Sequence, residues 1–255
     1  MESIKELRNI CQETRDDLLY QRNWFDRNFT RRISMYLTKP FLAMGLSANQ
    51  VTAISLLVGL AAGVLLVFPN PVLWLVGIPL LYLYFVLDCV DGEIARYRKT
   101  SSLVGSYLDG GLGMLMWPYV LACMTFGISN AVQDNTVFIF GFLAAAGWLL
   151  YTASALFPYP ILHSRGLLPE AVETSDRITE PLIMRLGRAV FGIRGFFPVV
   201  LVVTIVDLFV TPITFGQFTM NARFAYLAVF ALATVLGIVL RVSSVMRHGV
   251  SLQKP

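Results

Sequence analysis

Six stretches of this chain run almost without charge, at roughly 50–68, 72–90, 106–127, 136–157, 196–213 and 223–243. Each comes close to or exceeds the length of about 20 residues that an apolar helix needs to cross a ~30 Å hydrocarbon core. The clearest is "TVFIFGFLAAAGWLLYTASALF", with no charge at all; the second and third differ from the rest because charges intrude at one end of each. Ahead of them, "NWFDRNFTRRISMYLTKPFLAMG" places Trp24, Phe25, Phe29, Ile33, Tyr36, Leu37 and Phe41 at helical spacing, with Arg27, Arg31, Arg32 and Lys39 between. That pattern predicts an amphipathic helix lying in the headgroup plane over residues 23–46. Ser47 followed three residues later by Gln50 is a capping-box signal, so the first span should begin at Ala48. Gly59 and Gly63 give that span a face of small residues suited to close helix packing. The expected fold is therefore all-α and integral to the membrane. A polar extension (1–22) and the interfacial helix precede a six-helix domain (47–245), and a short tail (246–255) follows.

Composition agrees. Only 14% of the 255 residues are charged, against about 25% in a typical soluble domain. The basic residues are distributed unevenly. Of twenty Lys and Arg, eight precede residue 50, three lie at 96–99, five at 165–194 and three beyond 240, which leaves Arg223 alone on the other side. This positive-inside bias predicts cytoplasmic termini and polar loops. The net charge of +4 fits the same bias and an anionic leaflet better than nucleic acid. The charged first fifty residues, with no apolar run behind a basic start, predict no cleaved signal peptide. Cys11, Cys89 and Cys123 show no metal-binding or redox spacing.

The chemistry concentrates in "LDCVDGEIARYRKTSSLVGSYLDGGLG", residues 87–113. Asp88 and Asp91 are i,i+3 and share a helix face at the cytoplasmic end of the second span. Gly105 and Asp109 open the third span from the same side, so the three carboxylates should converge near the interface. Ionisable groups at such depth are costly and mark function by default. Oxygen donors without His or Cys favour a hard divalent cation such as Mg²⁺, Mn²⁺ or Ca²⁺. Arg96 could pair with a phosphate. The competing interpretation is a satisfied charge network with Arg96, Arg98 and Lys99.

These residues resemble one family. Asp88, Asp91, Gly92, Ala95, Arg96, then eight residues to Gly105 and three more to Asp109, follow the CDP-alcohol phosphotransferase signature D-x2-D-G-x2-A-R-x8-G-x3-D-x3-D. The resemblance covers about residues 25–245, and includes the Asn49–Thr52 pair in "SANQVT". It implies a homodimeric six-helix fold whose cavity opens to the cytoplasm. There, two Mg²⁺ or Mn²⁺ ions bind the pyrophosphate of a CDP-alcohol, and an acceptor hydroxyl displaces CMP. By matching position, the resemblance makes Asp88, Asp91 and Asp109 metal ligands. It sets Gly92, Ala95 and Gly105 on the cytidine side, and Asn49, Thr52 and Arg96 near the phosphates.

The signature's last Asp is Gly113 here, where the family has a metal ligand and the general base. Glycine supplies neither. Three explanations compete: an introduced substitution, a substitute base such as His163 or His248, or a relative that binds CDP-alcohol without turning it over. A transporter using the same acids would show broken helices and repeated halves, and the sequence has neither. Arg185, Arg188 and Arg194 are candidates for an acceptor phosphate, or simple positive-inside anchors. The charge bias yields a direct test. A cysteine placed within residues 165–194 should react with an impermeant label only from the cytoplasmic side; labelling from outside would invert the topology.

Overall fold

The computed structural model describes residues 2–12, 29–100, 103–156, 193–216 and 218–251. Within these, the side chains at 103–109, 155–156, 193–195, 215, 218, 241 and 244–251 fall outside the described set. In chain order the elements are α1 (Ile4–Gln12), α2 (Arg31–Ala43), α3 (Ala48–Leu66), α4 (Pro71–Arg98), α5 (Leu103–Val132), α6 (Val137–Leu156) and α7 (Ile193–Phe209). A hairpin of β1 (Ile213–Phe215) and β2 (Phe218–Met220) follows, then α8 (Ala222–Ser251). The protein is an integral, multi-pass membrane protein, all-α apart from that hairpin. Among the described residues, five helices are long and apolar enough to span: Ala48–Leu66, Pro71–Arg98, Gly110–Val132, Val137–Ser154 and Ala222–Leu240. The expected fifth of six spans is a shorter apolar helix over its described residues, Phe196–Phe209. It stops before 213 because Pro212 disfavours helical conformation in the residue before it, and the chain turns into β1 with Ile213 opposite Met220.

The chain divides into two compact units, the first comprising Met1–Leu66 and Val72–Met116 and the second Val67–Pro71 and Trp117–Pro255. In the first unit the capping box forms as expected. The Ser47 amide donates to Gln50 Oε1 (2.8 Å) and the Gln50 amide to Ser47 Oγ (3.3 Å), and α3 begins at Ala48. Gly59 is where α3 comes closest to its neighbours: a Cβ there would lie 2.9 Å from Met116 Cε and 3.0 Å from the Tyr84 ring. Helix α4 runs well past the apolar stretch to Arg98, which keeps the whole acidic segment 88–96 helical. It ends with the Thr100 amide bonding to the Ala95 carbonyl (3.0 Å) and the Lys99 amide to that of Arg96 (3.2 Å). Lys99, at φ 54°, occupies the left-handed position that glycine usually fills in this C-terminal motif.

The two N-terminal helices depart from the expected pattern. Helix α2 covers 31–43 of the predicted 23–46, and residues 23–28 lie outside the described residues. Its exposed side carries Ile33 and Tyr36 beside Arg32, as an interfacial helix should, but the side it buries holds Ser34, Met35 and Thr38. The reason is a carboxylate beneath it. The polar extension also folds in part: α1 opens with its own capping box. The Ser3 amide donates to Glu6 Oε2 (2.7 Å), which holds the Glu6 carboxyl below the usual glutamate range. Leu7 and Cys11 of α1 pack fully buried against Met35, with Ile4, Leu42 and Tyr97 around them.

In the second unit, Trp117 meets Trp148 (5.2 Å between ring centroids) and Phe196 (5.1 Å, edge-on), and Phe230 stacks on Trp148. These rings join α5, α6, α7 and α8 into one core. Arg223, which the sequence sets apart from the other basic residues, is paired. Its Nε donates to Asp207 Oδ2 (2.6 Å) and its NH2 to the Pro69 carbonyl (3.1 Å), with side chains 3% and 4% exposed for Arg223 and Asp207. Asp207 Oδ1 also accepts the Ala222 amide (2.7 Å) at the N-terminus of α8, where an anion opposes the helix dipole. Asp207→Ala should therefore leave a buried cation and an orphaned amide, at a cost of about 3–5 kcal/mol. The thermal midpoint in detergent should fall markedly, and less for Asp207→Asn. Equal midpoints for Asp207→Ala and the parent would contradict a stabilising pair.

Candidate functional site

The first unit carries the acidic motif on the last three turns of α4. Asp91 is 4% exposed, and its Oδ2 accepts the Thr52 hydroxyl at 2.6 Å. Thr52 Oγ1 also lies 3.1 Å from the Ala48 carbonyl, so its one proton has two acceptors. The sequence placed Thr52 near phosphates; in the structure it lies on the carboxylate. Asp88, one turn earlier on the same helix, is half-buried, as are Gly92, Ala95 and Arg96, and Asn49 is exposed at the start of α3. Val51 packs fully buried against Val90 and Ile94, which fixes the start of α3 beside the end of α4 and brings Thr52 to Asp91.

Gly105, Asp109 and Gly113 all lie on α5. The side chain of Asp109 is outside the described residues, as are Arg185, Arg188 and His163 in full and the side chains of Arg194 and His248. Among the described residues no three His, Cys, Asp or Glu side chains are grouped to hold a metal. The chemistry of the donors that are described still suits a hard cation: Asp88, Asp91 and Thr52 offer only oxygen. The ground beside α5 is open. A Cβ at Gly110, Gly111 or Gly113 would meet no described atom within 4 Å. The first carbon of a side chain at 113 would therefore displace nothing described.

Two contacts near the motif were not anticipated. Glu93, fully buried, accepts the Ser34 hydroxyl (2.6 Å), the Thr38 hydroxyl (2.6 Å) and the Gln12 amide (2.7 Å), with Arg31 NH1 at 3.5 Å. Arg96 donates from Nε to the Cys11 carbonyl (2.7 Å). Its NH1 lies 3.3 Å from where a Cβ on Gly92 would sit, so the guanidinium rests across the glycine. The sequence signal for Glu93 was its presence in an apolar context together with Ser34 and Thr38 at i,i+4. Neither hydroxyl stands out on a helix otherwise read by its apolar and basic residues.

Comparison with known proteins agrees with this geometry. The CDP-alcohol phosphatidyltransferase family model matches residues 46–159. The bifunctional IPC transferase and DIPP synthase of Aquifex aeolicus is 32% identical over 89 residues, 35% of this chain; the match spans 20% of that relative's length. Phosphatidylinositol phosphate synthase of Mycobacterium tuberculosis, in apo form, superposes with a TM-score of 0.57 at 18% identity, over 82% of this chain and 94% of that one. The same enzyme with CDP-DAG bound gives 0.56 at 17% identity, over 84% and 94%. Its complex with manganese and citrate gives 0.56 at 18%, over 84% and 88%. At these identities the structures establish a shared fold. The sequence likeness to the CDP-alcohol phosphatidyltransferase family thus covers residues 46–159, just under half of the chain, and the likeness of fold extends over most of it.

Proposed function

We propose that this protein transfers a substituted phosphate from a CDP-alcohol to an acceptor hydroxyl, forming a phosphodiester and releasing CMP. The observation that carries this reading is the buried Asp91, gripped by Thr52, with Asp88 one turn away, inside the segment that matches the family. Asp88, Asp91 and Asp109 would hold Mg²⁺ or Mn²⁺, two ions in all. When bound, these ions would neutralise the pyrophosphate and the departing CMP. The manganese complex of the mycobacterial synthase supports a divalent ion, and its CDP-DAG complex supports a lipid donor.

The chain's own residues have definable tasks. The Thr52 hydroxyl holds the Asp91 carboxylate through Oδ2. Gly92, Ala95 and Gly105 would leave room for the cytidine, and Arg96 and Asn49 would contact phosphate oxygens. Arg185, Arg188 and Arg194 are proposed to receive an acceptor phosphate. The acceptor oxygen would bond to the β-phosphorus as the bond to the CMP oxygen breaks, and the acceptor proton must leave to a base. We place the termini and this site on the cytoplasmic face, from the charge bias, and expect a homodimer.

Gly113 favours a second reading, a membrane relative that binds CDP-alcohol but turns it over poorly. The open ground at this position makes the two readings separable. Gly113→Asp would place a carboxylate one turn beyond Asp109, at a position where a Cβ meets no described atom within 4 Å. A positioned base is worth roughly 10²–10⁴-fold in rate, so CMP release in Mg²⁺ or Mn²⁺ should rise by a gain of that order. Full activity in the parent, with none gained from the aspartate, would show that the base lies elsewhere.

Asp91→Asn tests the metal-binding role. The amide keeps an oxygen for Thr52 but loses the charge, so the fold should survive while CDP-alcohol binding and its dependence on divalent ion fall together. Binding that is equal in the variant and the parent, with and without chelator, would remove Asp91 from the site.

A further inference from the structure

Residues 11 and 12 lie outside the matched segment, yet both grip the motif helix. Gln12, the last residue of α1, is 2% exposed. Its Nε2 donates to Glu93 Oε1 (2.7 Å) and to the Arg31 carbonyl (2.9 Å), which uses both amide protons. One residue earlier, the Cys11 carbonyl accepts Arg96 Nε (2.7 Å). Carbonyls in the last turn of a helix lack intrahelical partners and form the negative end of its dipole, so a guanidinium is well placed there. At the other end of α1 the Tyr97 hydroxyl donates to Glu2 Oε1 (2.7 Å). A helix of nine residues does not hold its shape alone in water; these contacts and the Leu7–Cys11–Met35 cluster seat it.

The contacts bracket the chemistry. Glu93 is two residues beyond Asp91, and Arg96 is the motif's only arginine. With Nε tied to Cys11 and the guanidinium lying across Gly92, the direction of Arg96 is set from α1. We propose that Gln12 and the Cys11 carbonyl form a positioning clip that fixes the last two turns of α4 and aims Arg96 at the donor phosphates. The N-terminal helix is then part of the donor-binding apparatus. This rests on the donor being a CDP-alcohol, as proposed above.

The test uses the full chain in lipid nanodiscs with Mg²⁺ and CDP-diacylglycerol, and compares Gln12→Ala, Gln12→Glu and the exchange Gln12→Glu with Glu93→Gln. Three quantities are read: alkylation of Cys11 located by mass spectrometry, amide hydrogen exchange over 91–98, and the Kd for the donor. Gln12→Ala should expose Cys11, speed exchange over 91–98 and weaken donor binding on the order of tenfold, the loss expected for one hydrogen bond to a charged group. Gln12→Glu should be worse, because it sets two carboxylates together in a buried site. The paired exchange, which trades amide and carboxylate, restores the contact between positions 12 and 93 but not the donation to the Arg31 carbonyl, so it should recover part of the protection and affinity lost in Gln12→Glu. Unchanged exchange and affinity in Gln12→Ala would overturn the proposal. So would loosened exchange with unchanged affinity, which would make the clip purely structural, or failure of the paired exchange to recover. A parent protein that binds no CDP-diacylglycerol would instead refute the lipid-donor reading, and exchange over 91–98 would then decide alone whether the clip exists.

Discussion

A carboxylate with no exposure to solvent, Glu93, ties together the two described helices N-terminal to the first span. Removing an ion from water is tolerable only where hydrogen bonds or an opposite charge replace its hydration. Glu93 draws those from two helices at once: the end of α1 and the inner face of α2, whose first residue adds the Arg31 guanidinium at 3.5 Å. Helix α2 consequently turns Ser34 and Thr38 inward beside Met35 and leaves Ile33 and Tyr36 outside. In a soluble protein that would be inside-out. At a membrane surface both faces are satisfied, one by the carboxylate and one by lipid.

The same demand shapes the candidate site. Helix α4 continues through Asp88, Asp91 and Arg96 because its peptide groups stay internally bonded, and it stops only where Lys99 adopts a left-handed conformation. Buried Asp91 has its hydroxyl partner on α3, and the Val51–Val90–Ile94 contact holds the two helices in register. Across the second unit, Asp207 and Arg223 resolve the equivalent problem by pairing with each other. Acids in the apolar parts of this chain thus serve either chemistry or the anchoring of an element, and partners separate the roles better than position does.

Much of this was legible in the sequence. Long apolar runs with one preferred period, a capping box at Ser47–Gln50 and the spacing from Asp88 to Asp109 are local signals, and local signals read directly. The fifth span was placed three or four residues too far along, because hydropathy continues through Val210 and Ile213 whereas Pro212 governs the backbone. Glu93 drew no reading of its own, since its partners lie as far as 81 positions away. Arg96 was read for its charge alone, and the carbonyl that orients it comes from a helix with no apolar run to announce it. Residues whose partners are distant polar groups leave no periodicity behind.

That has a practical side for anyone preparing the protein. Judged by hydropathy, the first thirty residues look dispensable, and a shortened version would naturally begin at the interfacial helix or at Ser47. The first cut would take the Gln12 amide from Glu93 and the Cys11 carbonyl from Arg96; the second would also take Ser34, Thr38 and Arg31. What remained would be an isolated carboxylate inside an otherwise intact bundle. Poor yield from such a truncation would be blamed on the spans, although its cause would lie in the polar leader that had been discarded as packaging.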